Sequence, residues 1–161
     1  MKTENDKEPV VFCRYTEMRP VVTLVEHPLN PNKHPDGQLE RLAEVIRGNG
    51  WRQPITVSDR SGYIVKGHGR YQAAKRAGFT EVPVEVQHYE NEAAEMADML
   101  ADALKEKGYS FLSEPETNQL FPILSNKKIK ELQKNFGFSL NGVIDKDHTA
   151  VRFVTSFMTK E

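Results

Sequence analysis

Residues 64–78, IVKGHGRYQAAKRAG, set two glycines, a histidine and an arginine between an apolar run and an alanine-rich run. The apolar run ending near Val65 reads as a strand, and a helix is expected to open near Tyr71 and stop at Gly78. The stretch is therefore a tight strand-to-helix turn. At a helix start the unsatisfied N–H groups and the positive end of the dipole favour an anion, and glycine lets a phosphate approach the backbone. Arg70 adds a planar fork suited to phosphate oxygens. His68 is placed to donate to a phosphate or to position a water. A Gly-x-Gly turn into a helix is also a common plain connection, so the turn alone leaves both readings open.

Composition narrows the setting. A chain of 161 residues holds one ordinary core or two small ones, since domains run to roughly 100 to 150 residues. The net charge of -1 gives no global attraction to nucleic acid, so such a partner would need a local patch. That patch exists in the sequence: Arg41, Arg47, Arg52, Arg60, Lys66, Arg70, Lys75 and Arg76 face only Glu44 and Asp59 over the same stretch. From Glu81 to Glu106 the sign reverses, with Lys105 alone among eight acids. Solvated faces and a binding surface are both compatible with such runs. Cys13 is the single cysteine, which excludes an internal disulfide and a cysteine zinc cluster. No signal-like or membrane-spanning apolar stretch is present, so a cytoplasmic protein without a membrane partner is expected.

Along the chain, residues 1–19 are expected to form a partly disordered N-terminal segment. VVTLVEH reads as a buried strand and PLNPNKHPD as a loop punctuated by three prolines. A helix is expected from Asp36 as its cap, with Leu39, Leu42, Ala43 and Ile46 on its apolar face and Gly48 or Gly50 at its end. QPITVSD and GYIVKG read as a strand pair around RSG, VPVEVQHY as another strand, and Asn91 to Lys107 as the longest helix, with Ala94, Met96, Ala97, Leu100, Ala101 and Leu104 inward. His27, His34, His88 and His148 show no metal-ligand spacing and read as loop or surface residues, so no metal site is expected. Trp51 is expected to pack over the first helix, and Glu26 to lie on the surface.

The order NPNKH, GQLERLAEVIRGNG, WRQPITV, GYIVKGHGRYQAAKRAG and VPVEV resembles the N-terminal domain of ParB-like proteins, in the fold shared with sulfiredoxin, over about residues 20–102. The resemblance implies a mixed α+β domain whose turn cradles the phosphates of CTP or ATP, with Mg2+ as an accompanying ion. By position it assigns Gly67, His68, Gly69 and Arg70 to the phosphates, with Asn30, Lys33 and Gln53 in support. It also implies DNA association, through phosphate contacts from Arg41, Arg47, Arg52, Arg60, Lys75 and Arg76, and leaves a homodimer open. Where partition proteins carry a glutamate and two arginines in the turn, this chain has His68, Gly69 and Arg70. A carboxylate for metal or hydrolytic water is thus missing there, and the reductase cysteine of sulfiredoxin has no counterpart. No helix-turn-helix follows residue 102, so binding to DNA is expected to be nonspecific.

Beyond residue 103, PETNQLFPIL and AVRFVTSF resemble the C-terminal small domain of low-specificity threonine aldolases. This implies a small βαββ layer: strands YSFLSE and NQLFPIL, helix Asn126 to Phe136, then GVID and AVRFVTSF, with Arg152 at the family's carboxylate-binding position. The lysine-bearing large domain has no counterpart, so no pyridoxal phosphate is expected. Three functions compete: a nucleotide-binding, DNA-associated module; a small-molecule kinase or nuclease on the same fold; and a non-catalytic interaction protein carrying an orphaned lyase domain.

Overall fold

The computed structural model describes residues 9–156. Its contacts divide the chain into two compact units, residues 1–89 and 90–161, and both are mixed α and β, as the sequence indicates. The helix assigned above to residues 91–107 falls in the second unit.

The first unit is built on a five-stranded sheet in the order β1-β5-β3-β4-β2. Its strands are β1 (Glu17–Pro20), β2 (Val25–Glu26), β3 (Ile55–Ser58), β4 (Tyr63–Lys66) and β5 (Glu81–Gln87). β3 and β4 form the expected antiparallel pair, and β3 and β5 run parallel. A parallel pair requires a crossover, and the helix α2 (His68–Ala77) supplies it. The other helix of the unit is α1 (Asp36–Asn49). Leu39, Ala43 and Ile46 of α1 are buried, and the last two join Ile55, Val57, Ile64, Val82, Val84, Ala73 and Ala74 in the core. Each fully buried Ile or Val stabilises by about 1.5 to 3 kcal/mol. Trp51 is 1 % exposed in this cluster, edge-on to Phe79 at 5.9 Å.

Two local readings change. VVTLVEH is not one strand: Val21–Thr23 is a 3-10 turn, and only Val25–Glu26 pairs, in parallel with β4. Val21 and Leu24 are buried while Val22 is exposed, a three-residue period that a strand cannot present to one core. Asp36 does not cap α1; Pro35 holds the cap position, and the Asp36 carboxylate pairs with Arg76 instead. Residues 1–8 of the segment expected to be partly disordered lie outside the described residues. Beyond them the chain is already paired, through Phe12 N–H to Trp51 O and Trp51 N–H to Val10 O, both at 2.8 Å.

The second unit comprises α3 (Glu92–Glu106), β6 (Gln119–Leu120), β7 (Ile123–Ser125), α4 (Asn126–Leu132), β8 (Ser139–Val143) and β9 (His148–Val154). β9 is the shared strand, antiparallel to β6, β7 and β8. Phe153 packs against both small apolar clusters, one around Ala97, Ala101 and Leu120 and the other around Leu124, Ile129 and Val151. Asn91 caps α3 by accepting from Ala94 N–H at 3.0 Å. The buried positions of α3 are Glu95, Ala97, Met99, Ala101 and Ala103, so Ala94, Met96, Leu100 and Leu104, read as inward, are only partly buried. YSFLSE makes a single bridge, Phe111 to Pro122, rather than a strand. NQLFPIL breaks into β6 and β7 at Phe121 and Pro122, and α4 ends at Leu132 rather than Phe136.

Gly48 and Gly50 test the helix end. A Cβ on Gly48 meets nothing within 4 Å, whereas Gly50 has φ +72° and its Cβ would lie 2.7 Å from Val10 O. Gly48→Ala is expected to stabilise by about 0.4 to 1 kcal/mol and Gly50→Ala to destabilise by more than that, read by thermal or denaturant unfolding.

Candidate functional site

The strand-to-helix turn is sharper than its sequence indicates. α2 begins at His68 rather than near Tyr71, because Gly67 adopts the left-handed region at φ +87° and turns the chain directly out of β4. His68, Gly69 and Arg70 therefore form the first helical turn. Gly78, also left-handed, closes the helix and bonds to the carbonyls of Ala74 and Lys75. The N-cap position of α2 is held by Gly67, which has no side chain with which to cap the helix.

Arg70 folds back under the turn. Its Nη1 donates to Gln53 Oε1 at 3.0 Å and its Nη2 to Pro54 O at 3.1 Å, which ties the start of α2 to the segment leading into β3. A Cβ on Gly67 would fall 2.7 Å from Arg70 Nη2; the glycine is needed both for its φ and for this close approach. Gln53, expected to support the site, is thus joined to Arg70. Asn30 instead shapes the loop: its Oδ1 accepts from Asn32 N–H at 3.1 Å and its amide donates to Asn32 O at 3.2 Å. Lys33 is exposed on the same loop.

The histidines are arranged differently from the sequence reading. His27 and His34 do not scatter; they gather with His68 at the α2 N-terminus. The His34 ring lies against Gly69, where a Cβ would meet its Cε1 at 3.0 Å. The His27 backbone N–H donates to His68 Nε2 at a long 3.4 Å, which assigns the His68 proton to Nδ1. His68 is 4 % exposed. Burial, with His27 and His34 adding to it, pushes its pKa down to about 4. Glu26 is not a bare surface acid, since its Oε1 accepts from Gln72 Nε2 at 2.8 Å. Pro31 and Pro35 flank His34 in the loop, but nothing in the sequence links that loop to His27 or His68. His88 and His148 lie elsewhere, paired with Asp59 at 2.7 Å and Asp145 at 3.0 Å.

Several of the basic residues have tasks within the unit. Arg47 donates to the carbonyls of Arg76, at 3.2 Å, and Ala77, at 3.4 Å, at the end of α2. Arg76 pairs with Asp36 and, at 3.8 Å, with Glu40. The Arg52 guanidinium lies over the Phe12 ring at 4.6 Å and the Lys75 ammonium near the Tyr71 ring at 5.1 Å. Arg41 is exposed on α1 and Arg152 exposed on β9, opposite Ser139 of β8. No group of three or more His, Cys, Asp or Glu among the described residues is arranged to hold a metal. No helix among them is long and apolar enough to cross a membrane.

A sheet strand that runs through a left-handed glycine directly into a helix, within a five-stranded mixed sheet, defines the class of fold to which the N-terminal unit belongs. The ParB N-terminal domain profile matches residues 10–104, more than half of the chain, and the chain belongs to that family. A probable chromosome 2-partitioning protein ParB of Deinococcus radiodurans is 43% identical over 65 residues, covering 39% of this chain and 22% of that protein. The ParB-like nuclease domain-containing protein YnaK of Escherichia coli is 37% identical over 66 residues, 41% of this chain and 75% of YnaK. Among solved structures, a C-terminally truncated ParB of Caulobacter crescentus complexed with CTP-gamma-S is 29% identical with a TM-score of 0.47, over 60% of this chain and 54% of that one. The chain thus spans less than a quarter of the Deinococcus protein's length.

The buried imidazole has a consequence for stability. The folded pKa of His68 lies below the ordinary 6.5, so the unfolded chain takes the proton first. Its stabilising contribution is present above about pH 6.5 and is lost as the pH falls towards 4, by at most about 3 kcal/mol. Denaturant unfolding across this range is expected to show a steeper acid loss for the wild type than for His68→Gln.

Proposed function

We propose that the N-terminal unit is a nucleotide-phosphate-binding module of the ParB type, taking CTP or ATP at the α2 N-terminus and associating with DNA without sequence preference. The observation that carries this reading is the left-handed Gly67 that turns β4 directly into α2 at the position of the family's phosphate turn, in a chain of the ParB N-terminal domain family. Backbone N–H groups of His68 and Gly69 are the first contacts for phosphate oxygens. Arg70 acts mainly beneath the turn, bonded to Gln53 and Pro54, so its substitution disturbs the frame of the site as well as its charge. Mg2+, where used, comes with the nucleotide, its ligands being phosphate oxygens and water.

Titration calorimetry with CTP and with ATP, with and without Mg2+, tests the reading. The wild type is expected to bind one of them, and Arg70→Ala to weaken binding by about tenfold to a hundredfold. Because Arg70 bridges two segments, Arg70→Ala is also expected to lower the melting temperature, and Gln53→Ala to weaken binding less. Absence of binding at millimolar nucleotide refutes the proposal.

DNA contacts would come from Arg41, Arg52, Arg60 and Lys75, with Arg47 and Arg76 contributing less because they are engaged at the end of α2 and with Asp36. For about three phosphate contacts, raising salt from about 50 to about 200 mM is expected to cost about fortyfold in affinity. Sequence-selective binding that survives high salt would overturn the nonspecific reading.

One observation favours a second reading, a small-molecule kinase: the hydrogen bond to Gln72 brings the Glu26 carboxylate to α2, where an acid can serve as base for a substrate hydroxyl. For the C-terminal unit we keep the threonine-aldolase-like small domain as a partner-binding layer. Arg152 is then a retained surface cation, and no pyridoxal phosphate is bound. A borohydride-fixed aldimine on one lysine would refute that assignment.

A further inference from the structure

We propose that the C-terminal unit carries a binding site of its own, a cavity bordered by β7, α4 and the β8–β9 hairpin that takes a small phosphate monoester. The residues that line it run from Gly108 to His148, so it shares none with the α2 turn.

The cavity has a volume of about 520 Å³, within the roughly 300 to 1,000 Å³ of small-ligand sites. Its lining is chemically divided. Tyr109 and Ile123 give it an apolar wall, while Ser110, Ser125, Lys128 and His148 give it a polar one. The Tyr109 ring is anchored in the cluster around Leu124, Ile129 and Val151. Ser110 is tied to β7 by its carbonyl, which accepts from Ile123 N–H at 2.9 Å. Ser125 and His148 are directly opposite in the β7–β9 ladder, so their side chains share one face. Asn126, the first residue of α4, holds the hairpin turn in place. Its N–H donates to Asp147 O at 2.8 Å, its side-chain amide to Lys146 O at 3.1 Å, and its Oδ1 accepts from the Thr149 hydroxyl at 2.8 Å. The walls are thus fixed to one another before a ligand enters, which lowers the entropic cost of binding.

The hydrogen-bonding capacity left over on this lining is mostly donor capacity. Ser125 Oγ accepts from Lys128 N–H at 3.2 Å, which spends a lone pair and leaves the hydroxyl proton. The Lys128 ammonium gives one of its protons to Glu131 at 3.1 Å, in an exposed pair that holds it weakly. Ser110 and Tyr109 each add a hydroxyl. Asp145 also borders the cavity, but its carboxylate is met from within its own turn, by the N–H groups of Asp147 at 2.7 Å and His148 at 2.9 Å and by His148 Nδ1 at 3.0 Å. Because a carboxylate only accepts, this contact places the ring proton on Nδ1 and makes Nε2 of the neutral imidazole an acceptor. An ammonium with three hydroxyls calls for an oxyanion. A carboxylate presents two oxygens in one plane, whereas a phosphate monoester presents three around a tetrahedral centre. With a second pKa of about 6, the monoester also carries, in its singly charged form, a proton for Nε2 to accept. The apolar wall then receives the organic group of the ester.

The test titrates phenyl phosphate, inorganic phosphate and benzoate into the isotope-labelled full chain and follows the amide chemical shifts, which also report whether each variant keeps its fold. Phenyl phosphate is expected to bind saturably and more tightly than the other two probes, with shifts at residues 108–110, 123–128 and 145–148. Lys128→Met is expected to weaken it by about tenfold to a hundredfold and Ser110→Ala by about twofold to tenfold. Lys130→Met, an exposed position of the same helix outside the cavity lining, is expected to leave the affinity unchanged. Equal weakening by Lys128→Met and Lys130→Met marks a general attraction to a basic helix and overturns the site. Benzoate or inorganic phosphate binding as tightly as phenyl phosphate overturns the monoester assignment. Shifts confined to residues 67–70 place the anion at the α2 turn and overturn the cavity as its site, as does the absence of any saturable shift at millimolar phenyl phosphate.

Discussion

The contact between Arg70 and the glycine above it sets the geometry of the N-terminal unit. Gly67 turns left-handed at φ +87°, and the space its missing Cβ leaves is filled by the guanidinium that reaches Gln53 and Pro54. One side chain thereby fixes two junctions, the exit of β4 into α2 and the entry into β3. Those strands are antiparallel neighbours whose Ile55, Val57 and Ile64 form the centre of the core. The turn is therefore held from below by the same residues that hold the sheet, and its upper side carries the backbone N–H groups and the histidines.

This arrangement explains why some of the fold was legible and some was not. The α1 face at Leu39, Ala43 and Ile46, the β3–β4 pair, β5, and the extent of α3 followed from periodicity and turn residues, which are local signals. VVTLVEH misled because β-branched residues favour strands, yet Pro20 and the need to bury both Val21 and Leu24 impose a 3-10 turn. Asp36 looked like a cap because capping is local, but the Arg76 guanidinium, forty positions away, takes its carboxylate. In the second unit, Pro122 divides one apolar run into two short strands, since proline cannot donate to the ladder.

The site was half legible for a related reason. Gly67 to Arg70 are contiguous, and their chemistry could be read from the string. The histidine cluster is assembled from three separate places in the chain: the loop after β2, the approach to α1, and the start of α2. No spacing rule connects them, and only the sheet order that places β2 beside β4 brings His27 to His68. The basic stretch shows the converse. Its residues were legible as charge, but Arg47 and Arg76 are largely used to finish and brace helices, so a charge run in sequence overstates the cation available to a partner.

Arginine and histidine divide the electrostatic work of the turn according to their chemistry. A guanidinium is always charged, so it persists in a half-buried place only with permanent acceptors, and Arg70 has an amide oxygen and a backbone carbonyl. His68 meets the same interior differently: an imidazole can shed its proton, and burial, with His27 and His34 beside it, pushes its pKa down to about 4, so it lies 4 % exposed as a neutral ring. The turn thus carries a permanent cation only where fixed acceptors meet it and an uncharged ring where they do not.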